Sequence, residues 1–234
     1  MIVEIGHYAL VLAFGLALVQ GTLPLWGAAR NDANLIALSR TTALGQFLFL
    51  TVAFAALIHA FTTSDFSVAN VAQNSHSAKP MIYKVAAAWG NHEGSLLLWV
   101  WILALYGGGV ALFGRNLPPA FRARVLAIQG LIGLGFMAFM LFTSNPFLRL
   151  EPAPIDGNGL NPILQDPALA AHPPMLYAGY VGLSMAFAFA IAALIEGRVD
   201  ASWARWVRPW TLLAWCSLSF GIALGSYWAY YELG

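Results

Sequence analysis

The sequence contains few charged residues. Only 9% of its 234 residues are Asp, Glu, Lys or Arg, whereas 60% are hydrophobic and the mean hydropathy is +0.71. Soluble domains carry about 25% charged residues, so this composition excludes an ordinary soluble domain and predicts a polytopic membrane protein. With a formal net charge of +1, nucleic acid is not expected among its partners.

Cysteine is nearly absent as well. Cys216 is the single cysteine, and it lies inside an apolar run near the end of the sequence. One cysteine excludes both a disulfide framework and a CxxC pair. Any thiol chemistry in which the protein takes part must therefore use the thiols of another molecule.

Long apolar runs are what the sequence has in abundance. A membrane-spanning helix must cross about 30 Å of hydrocarbon at about 1.5 Å per residue. Six runs are long enough, at residues 5–26, 41–61, 96–113, 125–142, 175–195 and 211–229. The first run lacks a preceding basic region and is longer than a signal-peptide core, so we expect it to stay in the mature protein.

None of these six runs contains Asp, Glu, Lys or Arg. Ion-coupled transporters usually hold such residues within the membrane, so ion-coupled transport is disfavoured. Three runs instead carry small residues at four-residue spacing, which places them on one helix face and predicts close packing of neighbouring helices. Two of these sets are Ala178, Gly182, Ala186 and Ala190, and Ser217, Gly221, Gly225 and Ala229.

The basic residues separate according to the connections between the runs. Eight of the eleven Lys and Arg residues follow the first, third or fifth run. They are Arg30, Arg40, Arg115, Arg122, Arg124, Arg198, Arg205 and Arg208. The positive-inside bias places these connections in the cytoplasm. Both termini and the two longer loops, 62–95 and 143–174, are then expected on the outer face.

The second outer loop is rich in proline, with seven of the chain's twelve prolines between residues 146 and 174. Asp166-Pro167 predicts the start of a short helix, since Asp caps helices and proline suits the first turn. We expect this helix to end at His172, because Pro173-Pro174 disfavours its continuation. A histidine in so constrained a backbone is a candidate ligand, and the alternative is a hydrogen-bonded loop histidine.

A polar segment, Trp89-Gly90-Asn91-His92-Glu93-Gly94-Ser95, precedes the third run. It is not a zinc-protease motif, because Leu96 stands where the second histidine would be required. Its glycines indicate close backbone contact with a neighbouring loop or a flat ligand. Glu93 or Ser95 is the expected cap of the following helix.

Several segments together resemble the CcmF/NrfE family of cytochrome c-type biogenesis proteins. They are 89–99 (WGNHEGSLLLW), 143–147 (TSNPF), 164–167 (LQDP), 172–177 (HPPMLY), 208–211 (RPWT) and 225–234 (GSYWAYYELG). The resemblance runs from end to end of the chain. It implies an all-α integral membrane protein of the bacterial inner membrane, with its outer loops and both termini in the periplasm.

The resemblance also implies a function, which is part of a membrane haem lyase for cytochrome c maturation. Such a lyase accepts haem b as its substrate from a periplasmic haem chaperone and promotes thioether attachment to the CxxCH motif of apocytochrome c. It works with other maturation subunits. The family's haem-ligating external histidine maps onto His172, and Trp89, His92 and Glu93 are expected to support this site.

The family's other haem-binding elements would follow Gly234. They are a tryptophan-rich segment, a second external histidine and an intramembrane histidine pair. Residues 1–234 are therefore expected to form one transmembrane module similar to the N-terminal third of the family protein. Residues 89–234 of this module are expected to be the first part of the haem-handling region. The module is not expected to be active without the C-terminal part. The alternative is a haem transport or scaffold module without catalysis of its own.

Overall fold

The computed structural model describes residues 1–159, 161–162 and 165–232, and this part of the chain is almost entirely helical. Its helices are α1 (Ile2–Arg30), α2 (Ala33–Thr62), α3 (Ala69–Asn74), α4 (Met81–Ala87), α5 (His92–Phe113), α6 (Pro119–Thr143), α7 (Pro167–Tyr180), α8 (Leu183–Glu196) and α9 (Ala201–Glu232).

Six helical segments of the described chain are long and apolar enough to cross a membrane. They are α1, α2, α5 with the short 3-10 turn after it, α6, α7 continued by α8, and α9. The prediction of six membrane helices is confirmed. The helices extend beyond the apolar runs at both ends, because hydropathy marks only the part that would lie in hydrocarbon.

Polar side chains join the central helices of the bundle. The Gln20 side chain on α1 donates to the Leu126 carbonyl on α6 at 2.7 Å, and Gln129 on α6 donates to the Leu103 carbonyl on α5 at 2.7 Å. Each bond pairs a buried side-chain nitrogen that would be costly to leave unpaired in an apolar interior. These two hydrogen bonds hold α6 against α1 and against α5.

Helix α9 is different, because it is largely exposed. Only Ala214 and Gly221 are buried among its 32 residues. It packs mainly along α7. Large apolar side chains such as Leu213, Trp215 and Phe220 are more than half exposed.

The two predicted outer loops lie at the same end of the bundle and pair with each other. The backbone amide of Ala69 donates to the Leu148 carbonyl at 2.8 Å. The Arg149 guanidinium then bonds to Glu4 at the start of α1, with Nε to Oε1 at 2.9 Å, and to Asp65 after α2, with Nη1 to Oδ2 at 3.1 Å. Helices α3 and α4 lie within the first loop.

The basic residues meet at the opposite end. Arg124 on α6 pairs with Glu196 at the end of α8 and also donates to the Ala28 carbonyl near the end of α1 at 3.2 Å. The connections therefore alternate between the two ends of the bundle, as the distribution of basic residues predicts. The side of the membrane that each end faces stays a prediction.

The prediction that a short helix ends at His172 is wrong. Helix α7 begins at Pro167 as expected but continues through Pro173-Pro174 to Tyr180. The segment predicted as a loop to residue 174 is thus helical from residue 167. The helix is interrupted later, at Val181-Gly182, before α8 begins.

Candidate functional site

His172 lies in the first half of α7, and the sequence around it fixes the start of that helix. Asp166 accepts a hydrogen bond from the Leu169 amide at 2.9 Å through its Oδ1, and Pro167 occupies the first turn. This is the N-cap that the sequence predicts. It places His172 in the second turn of the helix, partly buried rather than on a loop.

The imidazole of His172 points toward α9. Its Nδ1 atom lies 2.7 Å from the carbonyl oxygen of Gly221. A carbonyl oxygen can only accept, so Nδ1 carries the hydrogen of this bond and the neutral ring keeps its lone pair on Nε2. Histidines that bind metal are held in this way, with one nitrogen donating to a backbone carbonyl and the other left to ligate.

Gly225 provides the space for this ring. A Cβ atom built on Gly225 would lie 2.5 Å from Cε1 and 2.7 Å from Nδ1 of His172. Gly221 is equally close to the backbone of α7, with its Cβ position 2.7 Å from the Leu176 nitrogen. The small-residue set predicted on the last run therefore forms the contact of α9 with the histidine-bearing helix.

Trp89 contacts α7 from the other direction. Its indole Nε1 donates to the carbonyl oxygen of Ala170 at 3.0 Å. That carbonyl would ordinarily accept from the amide four residues later, which is Pro174 and has no N–H. The tryptophan that opens the polar segment thus occupies a hydrogen-bonding position that a proline leaves vacant.

The polar segment itself is closed by Asn91. Its Oδ1 accepts from the Gly94 amide at 2.7 Å, so Asn91 rather than Glu93 or Ser95 is the cap of α5. The prediction of Glu93 or Ser95 as the cap is wrong because a cap must precede the helix, as Asn91 does. Glu93 lies inside the first turn of α5. Gly94 is needed for backbone contact, since a Cβ there would meet the Ala88 carbonyl oxygen at 1.8 Å.

A cavity of about 360 Å³ lies between this segment and α7. Its lining includes Trp89 and His92, whose ring is exposed and contacts the ring of Phe139 edge-on with centroids 6.3 Å apart. The other lining residues are Ala86, Gly90, Asn91, Ser95, Leu169, Ala170, Pro173 and Tyr177. Neither Glu93 nor His172 lines this cavity, so the structure brings Trp89 and His92 together but directs His172 to α9.

A larger and almost wholly apolar cavity of about 500 Å³ lies between α5, α7 and α9. Four aromatic side chains are among the residues that line it, namely Trp101, Tyr106, Phe113 and Trp210. The Tyr106 hydroxyl also donates to the Ala178 carbonyl of α7 at 2.7 Å. Side-chain donors from before and within α5 therefore hold α7 at two points, Ala170 and Ala178.

The other histidines do not join His172. The Nε2 atom of His7 lies 3.3 Å from the side-chain nitrogen of Asn145, and Nε2 of His76 lies 3.5 Å from Asp156. Within residues 1–159, 161–162 and 165–232, no three His, Cys, Asp or Glu side chains are grouped to hold a metal ion. A lone histidine of this part could provide an axial ligand to haem, whose porphyrin supplies the four in-plane nitrogen ligands of the iron.

Asp156 joins the two outer loops through hydrogen bonds to its side-chain carboxylate. It accepts from the amides of Ser77 at 2.9 Å and Gly157 at 2.7 Å, and also from the Ser77 hydroxyl. These bonds, chiefly that of the Ser77 hydroxyl, lower the pKa of Asp156 to about 2.

The chain is similar to proteins of cytochrome c assembly. Residues 89–234 match the family described as Cytochrome C assembly protein. The chain belongs to that family. It is 64% identical over 234 residues to the cytochrome c-type biogenesis protein ccl1 of Rhodobacter capsulatus, covering 100% of this chain and 36% of the relative. It is 54% identical over 235 residues to CcmF of Escherichia coli, again with 100% and 36% coverage.

One solved structure with a similar fold is titled Cytochrome c Heme Lyase CcmF. It superposes with a TM-score of 0.86 at 30% identity, over 98% of this chain and 36% of that one. The chain therefore spans about a third of the length of the relatives it matches. The resemblance to CcmF-type proteins is confirmed, and the six apolar helices of the described chain agree with a multi-pass membrane protein.

Three parts of this site were not found by sequence reasoning. They are the Gly221 carbonyl that receives the His172 ring, the Asn91 cap, and the Tyr106 hydroxyl on α7. A backbone acceptor carries no side-chain signal, and Tyr106 looks like one more aromatic residue in an apolar run. Asn91 alone had a signal, because Asn before a helix is a common cap.

Proposed function

We propose that the chain forms part of a membrane haem lyase and that His172 is an axial ligand to the haem it handles. The observation that carries the proposal is the bond from Nδ1 of His172 to the Gly221 carbonyl at 2.7 Å. It supports a ring whose Nε2 lone pair is available to iron. Family membership supports cytochrome c maturation as the process.

The reaction joins vinyl groups of haem b to the two thiols of a CxxCH motif in apocytochrome c. Each thiol sulfur bonds to one vinyl carbon while the thiol hydrogen goes to the other, so the addition needs no net oxidant. The thiols come from the substrate, in agreement with a chain whose only cysteine is in α9. The haem would arrive from a periplasmic haem chaperone.

The end of the bundle that holds the outer loops would face the periplasm, with both termini on that side of the bacterial inner membrane. The Arg-rich opposite end supports this orientation through the positive-inside bias. Residues 1–234 would act as one transmembrane module, with residues 62–95 and 143–174 forming its periplasmic segments and the haem-handling region starting at residue 89. Other maturation subunits would dock at the periplasmic end.

The module would need the remaining two thirds of a CcmF-type protein to act. The described residues offer His172 for one face of the haem, whereas the second axial ligand would come from the C-terminal part. The exposed apolar surface of α9, including Trp215 and Phe220, supports packing against further membrane helices. The chain alone would therefore not be an active enzyme.

His92 and Trp89 would have supporting roles at the entrance to the site. Both line the cavity between the polar segment and α7. Glu93 lies in the first turn of α5, where its negative charge would stabilise the positive N-terminal end of that helix. We expect none of the three to ligate iron in place of His172.

The test uses the full-length protein that contains this chain, loaded with haem in detergent. His172→Ala should lose most of the haem bound at the outer-face site and most of the thioether-linked cytochrome formed, and added imidazole should restore haem binding at that site to His172→Gly. His59→Ala, at an exposed position on α2, is the control. Normal haem loading and cytochrome maturation by His172→Ala would reject the proposal.

A haem transport or scaffold module is the second candidate, and the 500 Å³ apolar cavity between α5, α7 and α9 favours it. Purified full-length protein, haem and reduced apocytochrome c would distinguish the two. Thioether formation above the uncatalysed rate supports a lyase. Haem binding without thioether formation supports transport or a scaffold.

A further inference from the structure

We infer that Trp89 is a positioning residue for His172, acting through the backbone of α7. This inference rests on the proposed role of His172. Trp89 lies 81 residues before Ala170 in the chain, yet its indole N–H bonds to the Ala170 carbonyl at 3.0 Å. His172 follows that carbonyl by two residues and precedes Pro174 by two.

The prolines explain why α7 needs an external donor. Pro174 removes the N–H that would bond to the Ala170 carbonyl, and its ring pushes that carbonyl away from the helix axis. An unpaired carbonyl in an apolar setting is costly, so the first turns of α7 would otherwise open or bend. The indole N–H of Trp89 replaces the missing donor and keeps the helix continuous through Pro173-Pro174.

A continuous helix sets the direction of the imidazole. The His172 ring reaches the Gly221 carbonyl only if α7 holds its phase at residue 172, because Gly225 lies against Cε1 and Nδ1 of the ring and leaves little room for another position. Trp89 bonds to the backbone of α7, and the Gly221 carbonyl bonds to the ring. One bond fixes the backbone and the other fixes the ring, with Nδ1 engaged and Nε2 outside that bond.

Trp203 provides a matched control. Its indole Nε1 also donates to a backbone carbonyl, that of Phe189, at 3.1 Å. Its acceptor, however, belongs to α8 and not to α7. Replacing either tryptophan by Phe removes one indole N–H from a backbone carbonyl, and only Trp89→Phe frees the Ala170 carbonyl.

Pro174→Ala supplies the opposite test. Alanine at position 174 restores a backbone N–H that can bond to the Ala170 carbonyl within the helix. The donor from Trp89 then becomes unnecessary. Trp89→Phe should be harmful alone and nearly neutral in the Pro174→Ala background, which is a coupling that a double-mutant cycle measures.

The experiment measures haem affinity and the absorption spectrum of the ligated haem per folded full-length protein. It also follows amide hydrogen exchange at residues 170–172 without haem. Trp89→Phe should weaken haem binding by about tenfold and speed exchange by a similar factor, since a lost hydrogen bond to a part-buried carbonyl costs roughly that much. Trp203→Phe should change neither, and Pro174→Ala should rescue Trp89→Phe.

Unchanged haem affinity and spectrum in Trp89→Phe would overturn the inference. Equal losses in Trp203→Phe would also overturn it, because they would indicate general loss of packing, and so would failure of Pro174→Ala to rescue. His172→Ala, measured in parallel, separates the two proposals. Full haem binding by His172→Ala would reject both, whereas loss of haem by His172→Ala with none by Trp89→Phe would reject only the role of Trp89.

Discussion

Gly225 on α9 faces the imidazole of His172 on α7 so closely that a Cβ atom at Gly225 would lie 2.5 Å from the ring's Cε1. Contacts between real side chains do not come this near, so any larger residue must displace the ring. The ring is also bonded to the Gly221 carbonyl. The narrow space beside Gly225 and the hydrogen bond to the Gly221 carbonyl therefore together define one orientation of the His172 ring.

Gly225→Ala should leave the protein folded but displace the imidazole, weakening haem binding by about tenfold. The cost of overpacking is typically about 1–3 kcal/mol, and the side chain can yield here by losing its bond to Gly221. Haem titration of the full-length variant measures the effect. Gly135→Ala, at a helix position with no atom within 4 Å of the added Cβ, should bind haem normally. Equal affinity in the two variants would contradict this prediction.

Gly179→Ala should destabilise the contact between α7 and α9. A Cβ at Gly179 would lie 2.4 Å from Cβ and 2.5 Å from Cα of Leu218, atoms that cannot move without shifting a helix. We expect a loss of about 2 kcal/mol in the free energy of unfolding. Thermal unfolding in detergent measures it, with Gly15→Ala as the control because its added Cβ meets nothing within 4 Å. A melting temperature equal to that of the control would show that the helices do not pack so closely.

The docking of the two outer loops should weaken in acid through Asp156. Hydrogen bonds, first that from the Ser77 hydroxyl, lower its pKa from 3.8 to about 2 in the folded protein. A carboxyl with a lowered folded-state pKa stabilises the fold above its unfolded pKa and loses that contribution as pH falls through the folded value. Protection of the Ser77 and Gly157 amides from hydrogen exchange should therefore drop between about pH 4 and 2.

Asp156→Asn is the matched variant for that experiment, because asparagine has nearly the same shape and does not titrate. Its amide protection should be lower at neutral pH and should change little over the same pH range. A variant that kept the acid-dependent loss would assign it to another group.

The small-residue pattern shows how far sequence reasoning extended. Gly221 and Gly225 were predicted as a helix-packing face, and they do contact α7. Gly182 was placed in a similar set, but its Cβ position lies 2.4 Å from the Tyr106 hydroxyl of α5. Gly179, which packs on α9 most closely, was missed because four-residue spacing was counted from Ala178. Periodicity identifies a helix face without identifying its partner.

The sequence by itself determined the membrane class, the six spans, the family and the start of α7 at Asp166-Pro167. Each of these depends on composition or on residues close together in the chain. Only the tertiary structure decided that α7 passes through Pro173-Pro174 and that His172 faces α9. The physical reason is that both outcomes depend on distant partners, the Trp89 N–H for the Ala170 carbonyl and the Gly221 carbonyl for the His172 ring. Proline removes a donor locally, but whether the helix breaks depends on whether the folded chain supplies another.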